Sequence, residues 1–208
     1  MLIKAPRGTK DIVPAEAYKW NYLEGKFRDL CRLYGYEEIR TPIFEHTELF
    51  KRGVGDTTDI VQKEMYTFKD RGDKEQNLKP EGTAGVIRAF IENKMYAETQ
   101  PTKLFYITPC FRYERPQSGR QRQFHQFGVE ALGSDTPSLD AEVISLAMQF
   151  LGEAGLKDLT VSINSVGCPV CREEYNQLLK DYLAAKADVL CDLCNDRRDK
   201  NPMRVIDC

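Results

Sequence analysis

Residues 124–132 constrain the fold more than any other segment, because their side chains alternate in character with a period of two. That period is the repeat of a β-strand, whose successive side chains point to opposite faces of a sheet. One set suits a protein core: His125, Phe127, Val129 and Ala131. The other set is mixed in polarity: Phe124, Gln126, Gly128 and Glu130. The pattern predicts a half-buried strand that must pair with a neighbour.

The segment before this strand predicts its partner. Residues 103–107 and 110–114 are strand-like, and a basic loop over residues 115–123 joins them to residues 124–132. An antiparallel hairpin would present one polar surface: Arg112, Glu114, Gln126 and Glu130. The residues alone leave two readings open. The surface is either solvated, as most polar faces of antiparallel sheets are, or it binds a ligand whose phosphates match guanidinium groups.

Apolar residues at steps of three and four predict three amphipathic helices, over residues 15–34, 83–96 and 137–154. Further strands are predicted at three places: residues 36–44, where Pro42 interrupts the strand, residues 65–68 within a loop-rich segment, and residues 159–163. We therefore predict an α+β fold in which the helices pack on an antiparallel sheet.

The composition is that of a globular protein, with 41% hydrophobic and 30% charged residues in a chain of 208. No apolar run approaches the roughly 20 residues that cross a membrane, and the N-terminus lacks the pattern of a signal peptide. We therefore expect a cytosolic protein. The formal net charge of −2 gives no global basic field, although a local basic loop could still contact RNA.

The character of the chain changes near residue 165, where we place a boundary between residues 1–165 and 166–208. The second part carries two Cys-x-x-Cys pairs that enclose 19 residues: Cys168, Cys171, Cys191 and Cys194. This spacing is typical of structural zinc sites, in which four sulfurs surround the ion. The alternative is four thiols that hold no metal, and the spacing does not decide between the two.

The predicted hairpin resembles motif 2 of the class II aminoacyl-tRNA synthetases, which reads Phe-Arg-x-Glu, a loop, then Arg-x-x-x-Phe. Residues 111–114 match its first half, and Arg120 and Phe124 match its second half. Residues 36–50 resemble motif 1, the dimer-interface element of that class. Three segments resemble the histidyl-tRNA synthetases in particular: residues 6–11, 79–84 and 122–130. The resemblance covers essentially the whole chain and implies the antiparallel, helix-flanked sheet of the class II fold.

The resemblance implies a histidine–tRNA ligase, whose site residues can be carried over one by one. ATP, with Mg²⁺, would be bound by four residues: Arg112 on the α-phosphate, Glu114 on the adenine amino group, Arg120 on the terminal phosphates and Phe124 stacked on adenine. Histidine would be held by Glu81, Gly82, Thr83, Arg112, Gln126 and Glu130, the last of them on the imidazole. Arg112 would be the catalytic residue. His125 is interpreted as structural, and His46 receives no role.

The resemblance also implies partners and an incomplete active site. A homodimer would form through residues 36–50, and Gln117 in the basic loop would read the extra 5′ guanosine of histidine tRNA. Residues 1–165 would be the N-terminal part of the catalytic domain, and residues 166–208 the start of an insertion subdomain. The downstream histidine-binding motif, motif 3 and the anticodon-binding domain are absent from the sequence, so we expect a fragment without full activity. A regulatory paralogue and a zinc-stabilised RNA-binding fragment are the alternatives, and ATP and histidine binding would separate them.

Overall fold

The computed structural model describes residues 3–54, 58, 61, 64–164 and 167–206. Within them the chain forms two compact units, Met1–Leu159 and Thr160–Cys208, each considered by itself below. The predicted boundary at residue 165 falls outside the described residues, and the assignment of residues 166–208 to an insertion remains a prediction. Among the described residues, no helix is both long and apolar enough to span a membrane.

A ten-residue antiparallel pair of strands forms the centre of the first unit. Strand β5 (Thr102–Phe111) pairs with β6 (Gln123–Leu132) along its whole length, and β1 (Glu37–Glu38) adds a short parallel pair at the other edge of β5. The prediction of two separate strands over residues 103–114 is therefore wrong, because β5 runs unbroken through Pro109 and ends at Phe111. Arg112 and Glu114 follow the strand instead of lying in it.

Pro109 is tolerated inside β5 because its missing amide faces away from β6. The carbonyl of Phe105 accepts from the amide of Ile39 beside β1, and the amide of Phe111 donates to the carbonyl of Lys79. Residues 105, 109 and 111 therefore present their backbone groups to the outer edge of β5. Proline at such a position removes no hydrogen bond from the ladder with β6.

A second, antiparallel sheet has the order β2-β4-β3, with strands β2 (Phe44–His46), β3 (Tyr66–Lys69) and β4 (Glu75–Leu78). The single strand predicted over residues 36–44 is instead divided between the two sheets, with Pro42 in the break. Only β3 was predicted in the loop-rich segment. The helix α2 (Thr47–Val54) and strand β4 were missed, because short elements there carry little periodicity.

Three helices lie close to their predicted positions: α1 (Pro14–Leu33), α3 (Thr83–Glu92) and α4 (Pro137–Glu153). The end of α3 was predicted four residues too late. The helix ends at Glu92 because Asn93 caps it and Lys94 adopts a left-handed backbone with φ 55°, before a 3₁₀ turn at Met95–Ala97. Helices α1 and α4 contact each other and cover the sheet. Their shared core consists of Phe27, Leu30, Cys31, Tyr36, Phe105 and Leu146.

The alternation predicted for β6 is confirmed. Phe127, Val129 and Ala131 pack against the core, and the ring of Phe127 stacks on that of Phe27 at 5.1 Å. His125 shares this side of the strand and contacts Trp20 edge-on at 4.7 Å between ring centroids. Burial lowers the pKa of His125, which favours the neutral imidazole in this apolar setting.

The second unit contains helices α5 (Pro169–Ala184) and α6 (Asp192–Lys200), followed by a 3₁₀ turn at Pro202–Val205. A small apolar cluster holds these elements together: Leu183, Cys194 and Val205, with Leu179 and Leu190 packed against them. The strand predicted over residues 159–163 is not formed. Val161 and Ile163 are exposed there, and no described strand pairs with the segment.

One aromatic ring is held between two glycines at the junction of β5, β6 and α3. Tyr106 lies directly opposite Gly128 in the strand register. A Cβ atom added to Gly128 would meet the Tyr106 ring at 2.2 Å, and one added to Gly82 would meet it at 2.3 Å. The ring is 7% exposed and fills the space that side chains at both positions would need.

We predict that Gly128→Ala lowers the free energy of unfolding by about 2 kcal/mol or more, because the added methyl overpacks the buried Tyr106 ring. Gly152→Ala is the matched control. Apart from its chain neighbours and the nearby backbone of its own helix, no atom of the described residues lies within 4 Å of the Cβ position of Gly152, so alanine there should be neutral or stabilising. Urea unfolding monitored by circular dichroism measures both variants. Equal urea unfolding midpoints for the two variants would show that the close contact between Gly128 and the Tyr106 ring does not affect stability.

Candidate functional site

The start of helix α3 is fixed by a carboxylate. Glu81 accepts hydrogen bonds from the amides of Thr83 at 2.6 Å and Ala84 at 2.9 Å, two of the donors that a helix N-terminus leaves unpaired. The amide of Gly82 donates to the side-chain oxygen of Gln126 on β6 at 3.0 Å. Residues 81–83 are thus attached to the mixed-polarity face of the central strand pair.

Glu130 lies on the same face of β6 and faces the same helix start. Its Oε1 accepts from the hydroxyl of Thr83 at 2.7 Å and from that of Tyr106 at 3.4 Å. In the described part of the chain no side chain donates to Oε2, so one oxygen remains available to a ligand. Burial, and to a lesser degree the negative charge of Glu81, raises the pKa of Glu130 above its ordinary value.

Arg112 is oriented by a backbone carbonyl and an aromatic ring. Its Nε donates to the carbonyl of Pro80 at 2.9 Å, and its guanidinium carbon lies 5.1 Å from the centroid of the Phe124 ring. Its amide still bonds to the carbonyl of Arg122, which extends the pairing one residue beyond β5. Its side chain is 23% exposed, and its terminal nitrogen lies 3.9 Å from a carboxylate oxygen of Glu114. The arginine is therefore held in place while part of it stays open to solvent.

The basic loop ends in a tight turn. Gln117 and Arg120 exchange two backbone hydrogen bonds of 3.0 Å, and Gly119 supplies the positive φ of 77° that the turn requires. Arg120 reaches back to Glu114 at 3.5 Å, although its side chain remains 67% exposed. Gln117 is exposed at the turn and free to contact a partner through its side chain.

The N-terminal segment supports the base of this loop. The carbonyl of Gly8 accepts from the amides of Arg122 at 2.8 Å and Gln123 at 3.1 Å. Gly8 has a φ of 83°, and an added Cβ would meet the Arg122 side chain at 2.7 Å. Arg122 in turn lies over the ring of Tyr113 at 3.9 Å from its centroid. Both the positive φ and the close contact with Arg122 therefore favour glycine at position 8 in the segment 6–11.

Three buried residues of the site were not singled out from the sequence: Lys79, Tyr106 and Cys110. Lys79 is 1% exposed, and its ammonium group donates to the carbonyl and the hydroxyl of Thr41, both at 3.3 Å. Burial lowers the pKa of Lys79 and raises that of Cys110 to about 12. The Cys110 thiol donates to Gln126 at 3.3 Å. The sequence could have pointed to Tyr106 only through its pairing with Gly128 across the two strands, and that pairing is visible only when the register of β5 and β6 is known.

The structure does not assemble the four cysteines that the spacing suggested as a zinc site. Cys168 and Cys171 lie together on the surface at the start of α5, whereas Cys194 is 2% exposed within the apolar cluster of α5 and α6. Over the described ranges, no group of three or more histidine, cysteine or acidic side chains could hold a metal ion. The four-cysteine zinc prediction is therefore unsupported.

Comparisons with known proteins point to one family. A family model described as histidyl-tRNA synthetase matches residues 8–190. The chain belongs to this family. A histidine–tRNA ligase of Clostridioides difficile is 80% identical over 208 residues, which are all of this chain and 50% of that protein. One from Alkaliphilus oremlandii is 62% identical over the same length and is covered to 49%.

Solved structures confirm the class II synthetase fold. The apo histidyl-tRNA synthetase of S. aureus is 46% identical, with a TM-score of 0.80 over 98% of this chain and 48% of that one. A Bacillus halodurans protein described as an ATP phosphoribosyltransferase regulatory subunit/histidyl-tRNA synthetase has a TM-score of 0.68 at 24% identity, over 90% of this chain and 51% of that one, which shows the fold alone. The chain spans about half the length of the curated relatives it matches.

The half-buried carboxylate of Glu130 gives a prediction for the pH dependence of stability. The pKa of Glu130 is higher in the folded chain than in the unfolded chain, so folding disfavours its ionised form. The protein therefore loses stability as the pH rises from the pKa of the unfolded chain through the pKa of the folded chain. Glu130→Gln keeps an oxygen for Thr83 and removes the charge. The variant should therefore gain stability over the native chain as the pH is raised from 4 to 8.

Thermal melts across this pH range measure the effect, and exposed Glu98 provides the matched control as Glu98→Gln. The difference between Glu130→Gln and the native chain should widen towards pH 8, while Glu98→Gln stays parallel to the native chain. A difference between Glu130→Gln and the native chain that stays constant from pH 4 to 8 would show that the charge of Glu130 is compensated in the fold.

Proposed function

We propose that this chain is part of an enzyme that activates histidine with ATP and transfers it to histidine tRNA. The observation that carries the proposal is the convergence of residues 81–83, Gln126 and Glu130 on one face of the strand pair, with Arg112 beside them. The naming of the 60–80% identical relatives as histidine–tRNA ligases supports it. Because those relatives are about twice as long, we assign the complete activity to the full-length protein.

Histidine binding is proposed for the polar groups where the start of α3 meets β6. The unbonded oxygen of Glu130 would accept from the imidazole N–H, since a neutral imidazole has one donor nitrogen. Glu81, Thr83 and Gln126 would hold the α-ammonium group, with Gly82 allowing close approach of the backbone. Hydrogen bonds already hold each of these side chains: Thr83 donates to Glu130, while Glu81 and Gln126 accept from the amides of Thr83 and Gly82. These groups are therefore preorganised and lose little entropy on binding.

ATP binding is proposed for the residues at the end of β5 and the start of β6. Arg112 would contact the α-phosphate and the histidine carboxylate, Glu114 the adenine amino group, and Arg120 the terminal phosphates. Phe124 would stack on the base. The exposed side chain of Arg120 is bound only loosely to Glu114 and can move to a phosphate. Mg²⁺ would enter with ATP as part of the substrate complex.

The reaction needs positioning and charge neutralisation more than proton transfer. The histidine carboxylate attacks the α-phosphorus and pyrophosphate leaves; the terminal adenosine of tRNA then attacks the activated carbonyl and adenylate leaves. Negative charge builds on the α-phosphate oxygens in the first step, where a fixed guanidinium stabilises the transition state. Arg112 is suited to this role because the carbonyl of Pro80 orients it before any substrate binds.

A homodimer through residues 36–50 is proposed as well. Two apolar side chains of this segment are exposed, Ile43 at 46% and Phe44 at 55%. Phe44 also contacts the exposed ring of Phe68, with ring centroids 6.2 Å apart. Phe68 lies on β3, on the far side of β4 from β2. A contiguous apolar surface of this kind is typical of an interface.

We predict that Arg112→Ala in the full-length protein lowers the rate of histidine-dependent ATP–pyrophosphate exchange by about 10²-fold or more, since a preorganised charge contact to the transition state is worth roughly 3 kcal/mol. Arg32→Ala, which removes an exposed arginine of α1, is the control and should keep the native rate. Exchange by Arg112→Ala within a few-fold of the control would overturn the role of Arg112.

We predict a separate, tRNA-specific defect for Gln117→Ala in the full-length protein. The exposed amide at the loop turn has both a donor and an acceptor for the edge of a guanine. Charging of native histidine tRNA should slow, charging of tRNA that lacks the extra 5′ guanosine should change little, and pyrophosphate exchange should be untouched. Gln121→Ala, in the same loop, is the matched control. Equal losses on both tRNAs would mean that Gln117 does not read this nucleotide.

A further inference from the structure

Two exposed sulfur atoms lie almost in contact at the beginning of helix α5. Cys168 is the N-cap residue and Cys171 is in the first turn, and their Sγ atoms are 3.4 Å apart. A disulfide needs a sulfur separation of about 2.05 Å, so the two atoms must approach by roughly 1.4 Å. Rotation of two exposed side chains can supply such a movement without a change in the helix.

The local hydrogen bonds favour a reactive sulfur at Cys168. Its Sγ accepts from the amide of Cys171 at 3.5 Å, and the Cys171 sulfur accepts from the amide of Cys168 at 3.1 Å. Hydrogen bonds from Cys171, first from its backbone amide, lower the pKa of Cys168. The positive end of the α5 dipole acts in the same direction. Cys168 therefore forms a thiolate more readily than an ordinary cysteine.

Other cysteines of the same chain provide a contrast. Cys31 and Cys110 are both fully buried, and burial raises the pKa of each thiol to about 12. Neither can meet an external oxidant or form a thiolate near neutral pH. The exposed pair at α5 combines accessibility, proximity and stabilisation of the thiolate, three properties that these buried thiols lack.

We propose that Cys168 and Cys171 form a reversible dithiol–disulfide couple that reacts with small-molecule disulfides. The Cys168 thiolate attacks one sulfur of R–S–S–R, forming a mixed disulfide and releasing RS⁻. The Cys171 thiolate then attacks the Cys168 sulfur, closes the intramolecular bond and releases the second RS⁻. Two cysteine thiols are oxidised, one external disulfide is reduced, and the two protons leave with the two RSH products.

The couple is independent of the ligase proposal, because it depends on residues of the second unit alone. It makes the start of α5 a site of oxidative modification. In the dithiol state the two sulfurs cap each other's amides reciprocally. Closing the bond moves both sulfurs out of this cap, so we expect faster amide hydrogen exchange in the first turn of α5 after oxidation.

The test treats the 208-residue chain with glutathione disulfide at neutral pH and follows it by mass spectrometry of peptides. We expect the peptide holding Cys168 and Cys171 to lose two hydrogen atoms, and dithiothreitol to restore them. Cys171→Ser should accumulate a glutathione mixed disulfide on Cys168. Cys168→Ser should react about tenfold more slowly, because the activated thiolate is gone. Exposed Cys191 is the control, and Cys191→Ser should close the bond at the native rate.

Three results would overturn the proposal. The first is glutathione attached to both cysteines with no closed bond. The second is a disulfide from Cys168 or Cys171 to Cys191 or Cys194. The third is a purified protein that holds zinc and whose Cys168, Cys171, Cys191 and Cys194 react with iodoacetamide only after chelation, which would make the pair half of a metal site. Circular dichroism of each serine variant checks that the helices are retained.

Discussion

The ten-residue antiparallel ladder between β5 and β6 is the constraint on which the first unit depends. It fixes which residues face the helices and which face the site, because a shift of one residue in register would exchange the two sets. Phe127 and Val129 then reach α1 and α4, while Gln126 and Glu130 reach the start of α3. One hydrogen-bonded pair of strands thus organises both the core and the candidate site.

The sequence predicted the parts of the structure that repeat. The alternation of residues 124–132 placed Gln126 and Glu130 together on one face, and the spacing of apolar residues located α1, α3 and α4 closely. Both signals are periodic, and both are dictated by burial on one side of an element. The motif resemblance added Glu81 and Thr83, which no periodicity would have connected with β6.

The sequence did not predict contacts that arise from tertiary packing. Residues 103–107 and 110–114 were predicted as separate strands, yet β5 continues through Pro109, whose imino nitrogen faces the outer edge of the strand and costs no ladder bond. Tyr106 looked like an ordinary strand residue, because its position between Gly82 and Gly128 exists only once α3 and β6 are in place. The cysteine spacing suggested one zinc site, but burial of Cys194 beside Leu183 separates its surroundings from those of the exposed pair at α5.

The segment Lys79–Pro80–Glu81 shows how a few residues join the parts of the site. Burial of a lysine is costly, and this cost is offset only if the ammonium group is well bonded. Lys79 bonds to Thr41 through its side chain, to Ile43 through its amide and to Phe111 through its carbonyl.

The next two residues, Pro80 and Glu81, then position Arg112 and the start of α3. Pro80 orients Arg112 through its carbonyl, and Glu81 begins the helix that carries Thr83 to Glu130. The segment that follows Pro42, whose exposed side chains we assign to a dimer interface, is therefore connected to the proposed phosphate-binding arginine by only a few hydrogen bonds. Thr41 and Ile43 are thus linked through the buried Lys79 to the neighbouring carbonyl of Pro80, which orients Arg112.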